Sequence, residues 1–134
     1  AVLAPAETSG AKAPGNDSSI VLRLIYGSTA FLLTGDIGRD VEREILAAGL
    51  DVRAQVLKAP HHGSDSSSTE EFLEAVRPEV IVVSAGRGNR MGLPHPAVLD
   101  RFGKCGARVL GTDRQGAVEI RSDGRELSIR TSRR

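Results

Sequence analysis

The sequence has little sulfur and few histidines, and both shortages limit the sites it can build. Cys105 is the only cysteine among 134 residues. An internal disulfide and a zinc cluster made of cysteines are therefore excluded. Three histidines occur, at positions 61, 62 and 95, so imidazole ligands for a metal are limited to these residues.

Long apolar runs and an excess of one charge are also missing. No stretch reaches the roughly 18–20 apolar residues needed to span a bilayer, and no signal peptide is visible. The 18 basic and 17 acidic residues nearly cancel, so no overall field draws the chain to nucleic acid or lipid. We expect the chain by itself to be soluble. Because it begins at Ala1 without an initiator Met, we also expect it to be a fragment of a longer protein.

A change in composition near residue 18 predicts one domain preceded by an arm. Residues 1–17 are rich in Ala, Pro, Gly, Ser and Thr and lack apolar periodicity, which is typical of a flexible arm or linker. Residues 18–134 have the patterns of a folded α/β domain, with every helix between strands and the order ββαβαβαββ. The predicted elements are strands over 20–26, 29–33, 54–57, 80–84 and 107–110, helices over 38–48, 68–76 and from 96, and a hairpin over 115–130. The second helix opens on Ser68-Thr69-Glu70-Glu71, a capping-box pattern.

Asp36 directly follows an apolar run that ends in Thr34-Gly35. In α/β sheets, ligands gather outside the carboxyl ends of strands. A carboxylate at such a strand end suits a divalent cation. The alternative is that Asp36 caps the helix predicted to begin about two residues later.

The segment His61-His62-Gly63-Ser64 follows a second predicted strand end. Neighbouring side chains on an extended segment point apart, so we expect the two imidazoles to have different roles. One would bind a metal, and the other would contact a substrate oxygen or be held by a polar partner. Ser64 offers a hydroxyl suited to a phosphate. The alternative is a surface loop that carries two incidental histidines.

A glycine-rich loop after the next predicted strand offers further phosphate contacts. Arg87, Asn89 and Arg90 are its polar members, and arginine in particular suits phosphate oxygens. The spacing of its glycines does not match a dinucleotide-binding fingerprint. His95 lies between two prolines and either reaches the same pocket or caps the helix that begins at Pro96.

Four motifs, taken in order, resemble a known family. The chain resembles the C-terminal half of the metallo-β-lactamase-like domain of ComEC-type DNA-internalisation competence proteins, over about residues 16–131. This resemblance implies part of an αββα sandwich with a zinc or manganese site at one edge. In it, Asp36 and His62 would be the metal-binding and catalytic residues, and His61 would face a substrate phosphate. The motifs are Asn16-Asp17-Ser18-Ser19-Ile20-Val21-Leu22, Leu33-Thr34-Gly35-Asp36, Leu57-Lys58-Ala59-Pro60-His61-His62-Gly63-Ser64 and Pro94-His95-Pro96.

The resemblance also implies a function and its limits. Enzymes of this superfamily use a metal-activated water to attack an ester, here a DNA phosphodiester of the strand that is not imported. The parent protein would act at the bacterial cell membrane, where the remainder of the same polypeptide includes a membrane channel. The family's main metal signature, a His-x-His-x-Asp-His cluster, does not occur in this sequence. We therefore expect this chain to be inactive alone and, with an apolar sheet face exposed, to self-associate. The alternative is a noncatalytic nucleic-acid-binding or interaction module of a competence protein.

Overall fold

Strands and helices alternate through most of the chain, as expected of an α/β protein. The structure, a computed structural model, describes residues 1–4 and 15–133. Within these ranges no helix is long and apolar enough to cross a membrane. The strands are β1 Val2–Ala4, β2 Val21–Tyr26, β3 Thr29–Leu33, β4 Val56–Lys58, β5 Val80–Val83, β6 Arg108–Gly111, β7 Val118–Ser122 and β8 Leu127–Thr131. The helices are α1 Arg39–Ala47, α2 Glu70–Val76, α3 Pro96–Lys104 and α4 Thr112–Gln115, with 3-10 turns at Asn16–Ser18 and Pro60–Gly63.

Six strands form one sheet in the order β1-β2-β3-β4-β5-β6. The first three are antiparallel neighbours, and β3 to β6 are parallel. A helix joins each parallel pair, and right-handed crossovers place α1, α2 and α3 on the same face of the sheet. The core lies between this face and the helices. Leu32, Leu57 and Ile81 are register neighbours on it, and like Phe72 and Phe102 they are fully buried.

The hairpin of β7 and β8 covers part of the second face. Its turn is fastened to the β2–β3 turn, where the Ser28 N–H donates to the Gly124 carbonyl at 2.7 Å. The hydroxyls of Thr29 and Ser122 lie 2.6 Å apart at the same place. Side chains alternate between faces along a strand, so residues next to the buried core positions lie on this second face.

The rest of the second face is apolar and exposed. Strand register places Val2, Leu24, Tyr26 and Leu33 on it, away from the helices. Their exposed fractions are 66%, 49%, 61% and 37%. Exposed apolar side chains grouped on one face of a sheet are typical of interaction surfaces.

The element order differs from the predicted ββαβαβαββ. The structure adds β1 and α4, and the three strands after α3 are the predicted strand over 107–110 and the two strands of the predicted hairpin over 115–130. Both additions are too short to show a periodic pattern. β1 has three residues, and α4 is a single turn whose Gln115 side chain accepts from the Gly111 N–H at 2.7 Å.

The predicted flexible arm over residues 1–17 is wrong for its first residues. Val2–Ala4 pairs with β2, and the Ala1 carbonyl accepts from the Arg23 N–H at 2.9 Å. Asn16–Ser18 forms a 3-10 turn. Residues 5–14 of the predicted arm lie outside the described residues.

Candidate metal site at the carboxyl edge of the sheet

Three neighbouring parallel strands, β3, β4 and β5, end at the same edge of the sheet. Asp36 follows β3, His62 follows β4, and Ser84 follows β5. Carboxyl ends of parallel strands open on one side, which brings segments distant in sequence together. The predicted ligands Asp36 and His62 therefore lie beside each other.

The His62 ring is held in a defined orientation. Its Nδ1 lies 2.7 Å from the Ser84 carbonyl oxygen. A carbonyl oxygen only accepts hydrogen bonds, so Nδ1 carries the proton and donates it. In the neutral ring the lone pair then sits on Nε2, which lies 3.4 Å from Asp36 Oδ1. Both side chains are partly exposed, so the pair is open to solvent.

The separation of these two atoms suits a shared cation. Zinc binds imidazole nitrogen at about 2.0–2.1 Å and carboxylate oxygen at about 2.0–2.2 Å, so a tetrahedral angle separates the two ligand atoms by about 3.4 Å. A carbonyl that fixes the far ring nitrogen is the usual support of a metal-binding histidine. In the part of the chain that the structure describes, no third His, Cys, Asp or Glu joins the pair. Asp36 and His62 thus fit as two ligands of a site that needs at least one more.

Asp36 is not a helix cap. The N-cap of α1 is Gly38, and within residues 1–4 and 15–133 no side chain caps that helix. The Asp36 N–H is instead held by the Ser19 hydroxyl at 3.1 Å. Gly35 permits this approach, because a Cβ there would lie 2.7 Å from the Ser19 Cβ. The Asp36 carboxylate remains available for a ligand.

The histidine pair does not lie on an extended segment, contrary to the sequence-based expectation. His61 and His62 have φ values of 45° and 55°, in the left-handed region that costs a non-glycine residue about 1–3 kcal/mol. Tertiary contacts hold this turn. The His61 N–H donates to the Gly35 carbonyl at 3.1 Å, and a Cβ on Gly63 would lie 2.7 Å from Pro94 Cβ. Strain of this kind concentrates at functional sites.

The two rings nevertheless reach different partners. His61 Nε2 lies 3.2 Å from the amide nitrogen of Asn16, away from the Ser84 carbonyl. His61 and Asp36 line a cavity of about 390 Å³ together with Asn16 and Arg39. His62 instead lines a cleft of about 460 Å³ on its other side.

Lys58 is a charged neighbour for which the sequence predicted no role. It lies at the end of β4, and its Nζ donates to the Ala59 carbonyl at 2.8 Å. Burial lowers the pKa of the Lys58 ammonium, and the negative charge of Asp36 opposes this by raising it. The only sequence signal was its position within the Leu57–Ser64 motif.

In the predicted phosphate-binding loop, one of the polar side chains forms hydrogen bonds within the loop itself. The Asn89 amide donates to the Gly86 and Leu93 carbonyls and accepts from the Leu93 N–H. These bonds shape the loop, although Asn89 also lines the cleft beside His62. Arg87 and Arg90 are exposed on the same loop. Their contact with substrate stays a prediction.

Ser64 and His95 have local partners. The Ser64 hydroxyl lies 3.0 Å from that of Ser66 and accepts from the Ser66 N–H. His95 is the N-cap of α3, where its Nδ1 accepts from the Ala97 N–H at 3.3 Å. Of the two alternatives for His95, the structure shows the capping one. A phosphate contact for either residue remains a prediction.

Comparisons with known proteins agree with the resemblance. No family model matches the chain. It is 40% identical over 106 residues to Competence protein ComA of Neisseria gonorrhoeae and 38% identical over 110 residues to ComE operon protein 3 of Bacillus subtilis. It is 33% identical over 118 residues to Recombination protein 2 of Haemophilus influenzae.

These alignments cover most of this chain but little of each relative. They include 78%, 82% and 88% of the chain, in the order given, and 15%, 14% and 15% of the relatives. The chain spans about one seventh of the length of the curated relatives it matches. It is homologous to one segment of the ComEC-type competence proteins.

Proposed function

We propose that this chain is part of a metal-dependent phosphodiesterase that acts on DNA during its uptake. One observation carries the proposal. The His62 ring, oriented by the Ser84 carbonyl, places Nε2 at 3.4 Å from Asp36 Oδ1. The names of the relatives, which include competence and recombination proteins, support DNA as the substrate.

Asp36 and His62 would hold a divalent cation, zinc or manganese. A bound cation of this kind supplies Lewis acidity, which activates water and polarises a phosphoryl oxygen. The chain's own residues then position the substrate. His61 lines the cavity next to Asp36 and is placed to contact a phosphate oxygen. The positive charge of Lys58 moderates the negative charge of Asp36.

The remaining ligands would come from the rest of the same polypeptide. Asp36 and His62 are two ligands, and a catalytic zinc site ordinarily has three from the protein. The isolated chain would therefore bind metal weakly and cleave little. In the parent protein, the partners would be single-stranded DNA and the membrane channel, at the bacterial cell membrane.

Restoring the upstream segment tests the proposal. A longer protein that contains this chain and the segment before it is expected to cleave single-stranded DNA when Mn²⁺ or Zn²⁺ is present and to stop when EDTA is added. The 134-residue chain alone, at the same concentration, is expected to give no cleavage above background. Product bands on a denaturing gel measure both.

Failure of the longer protein would be informative if it is folded and metal-loaded. If it cleaves nothing while a control nuclease is active in the same buffer, the catalytic proposal is lost. If the metal-free chain then binds DNA in a salt-dependent way that Asp36→Ala does not change, the result favours a noncatalytic binding module.

We also propose that the exposed apolar face makes the isolated chain self-associate. Leu24→Glu would place a charge in that face, and we expect it to weaken association at least about tenfold. Ile25→Glu is the matched control, because Ile25 is 59% exposed on the same strand but its side chain lies on the opposite face. Sedimentation equilibrium measures the effect. Equal weakening by both variants, or a wild-type chain that is monomeric at every concentration, would contradict the proposal.

A further inference from the structure

A further cavity lies at the opposite end of the sheet from the candidate metal site. It has a volume of about 380 Å³ and opens beside the first residues of β3 and the segment that leads into β4. Three arginines line it, namely Arg23, Arg53 and Arg77. Its single acidic lining residue is Glu79.

Arg23 is anchored in the wall of this cavity. Its Nε donates to the Arg53 carbonyl at 2.7 Å, and its Nη1 pairs with Asp51 at 3.1 Å. These contacts fix the guanidinium group of Arg23, whose side chain is only 16% exposed. The Gln55 amide braces the same wall, because it accepts from the Ala30 N–H and donates to the Ser28 carbonyl.

Arg77 stands where glycine is the usual residue. It ends α2 in the left-handed conformation with φ 52°, a position at which helices commonly place glycine. A side chain there costs conformational energy that glycine avoids. The Arg77 Nε donates to the Glu74 carbonyl at 3.3 Å, which caps the last turn of α2 and leaves the other N–H groups of the guanidinium for a ligand.

The charges of the cavity do not cancel. Asp51 offsets Arg23, which leaves Arg53, Arg77 and Glu79 around the opening. Among residues 1–4 and 15–133, neither Arg53 nor Arg77 forms an ion pair. Guanidinium groups present paired N–H donors that match phosphate oxygens. We propose that this cavity binds one phosphate group, either free or carried by a nucleic acid strand.

This binding needs neither the metal nor the upstream segment. The cavity lies at the amino ends of strands whose carboxyl ends carry Asp36 and His62, and a five-residue strand is about 17 Å long. The isolated chain in EDTA is therefore the appropriate sample. The phosphate-binding proposal would therefore stand even if the catalytic proposal failed.

Titration of the ¹⁵N-labelled chain with inorganic phosphate tests the proposal. We expect saturable shifts of the backbone amide signals of Arg53, Gln55 and Arg77. The double variant Arg53→Gln, Arg77→Gly should weaken phosphate binding at least about tenfold, since it removes two charge-assisted contacts. Glycine at position 77 relieves the left-handed backbone, so this variant is expected to stay folded. Arg114→Gln is the control, because Arg114 is 66% exposed on α4 at the other end of the sheet.

A second arm separates the two sources of phosphate. If a thymidine oligonucleotide competes with inorganic phosphate for the same signals, the ligand is a strand phosphate. If inorganic phosphate binds and the oligonucleotide does not compete, the site is for free phosphate, and the proposal stands in either case. Equal affinity in the double variant, no saturable shift in the folded chain, or binding to anionic lipid vesicles alone would overturn it.

Discussion

Replacing His62 by alanine in the longer protein is expected to lower both metal affinity and DNA cleavage by at least about 100-fold. Loss of a residue that merely supports a metal ligand typically costs about 10–100-fold in metal affinity or activity. His62 is proposed as a ligand itself, with Nε2 aimed at Asp36 Oδ1 and Nδ1 fixed by the Ser84 carbonyl. The loss of metal affinity and activity on its removal should therefore reach or exceed the upper end of that range. Calorimetric titration with Zn²⁺ or Mn²⁺ and a cleavage assay measure the two losses.

His61→Ala is the matched comparison. His61 has the same residue type and nearly the same left-handed backbone, so both variants change the turn in similar ways. Its ring contacts Asn16 instead of Asp36. We expect His61→Ala to leave metal affinity within a few-fold of the wild type and to raise KM for DNA. Equal losses of metal affinity in both variants, or a larger loss with His61→Ala, would contradict the assignment of His62 as the ligand.

Local patterns were enough to predict that both candidate ligands follow strand ends. Apolar runs that end in polar residues placed Asp36 and His62 there, and in the structure the two strands, β3 and β4, are adjacent and parallel. The hairpin over residues 115–130 was also predicted, because the residue types of its Asp123-Gly124 turn are sufficient to specify it. Signals of this kind are contained in a few consecutive residues.

Features that depend on distant residues were not predicted. The left-handed turn at His61 and His62 is imposed by the Gly35 carbonyl and by the closeness of Pro94 to Gly63. Those contacts join segments about 25–30 residues apart, beyond the reach of any local pattern. The same limit applies to the arginine cavity, which unites residues from β2, the segment before β4 and the end of α2.

At the start of α2, the sequence correctly predicted a capped helix but not the residues that cap it. The predicted capping box would use Ser68 and Glu71. In the structure Thr69 is the N-cap, and its hydroxyl accepts from the Phe72 N–H at 3.3 Å. The carboxylate that accepts from the Thr69 N–H belongs to Glu42 on α1. A long-range residue thus fills the role that the sequence assigned to a local one.

Replacing Glu42 by alanine is expected to lower the free energy of unfolding by about 3–5 kcal/mol. The Glu42 side chain is fully buried and accepts from the Ser68 N–H, the Thr69 N–H and the Thr69 hydroxyl. Its removal leaves buried donors without an acceptor at the junction of α1 and α2, and each such group costs about 1–3 kcal/mol. Urea unfolding followed by circular dichroism measures the loss. A domain of this size is stable by only about 5–15 kcal/mol, so the variant should be close to unfolding.

Two further variants separate hydrogen bonding from general effects of mutation on α1. Glu44→Ala removes an exposed carboxylate from the same helix, and we expect it to change stability by no more than about 0.5 kcal/mol. Glu42→Gln keeps one acceptor oxygen but replaces the other with a donor that faces donors, so its loss should lie between those of the two alanine variants. A Glu42→Ala protein as stable as Glu44→Ala would show that the junction does not depend on this carboxylate. A Glu42→Gln protein as unstable as Glu42→Ala would instead show that both oxygens of the carboxylate are required.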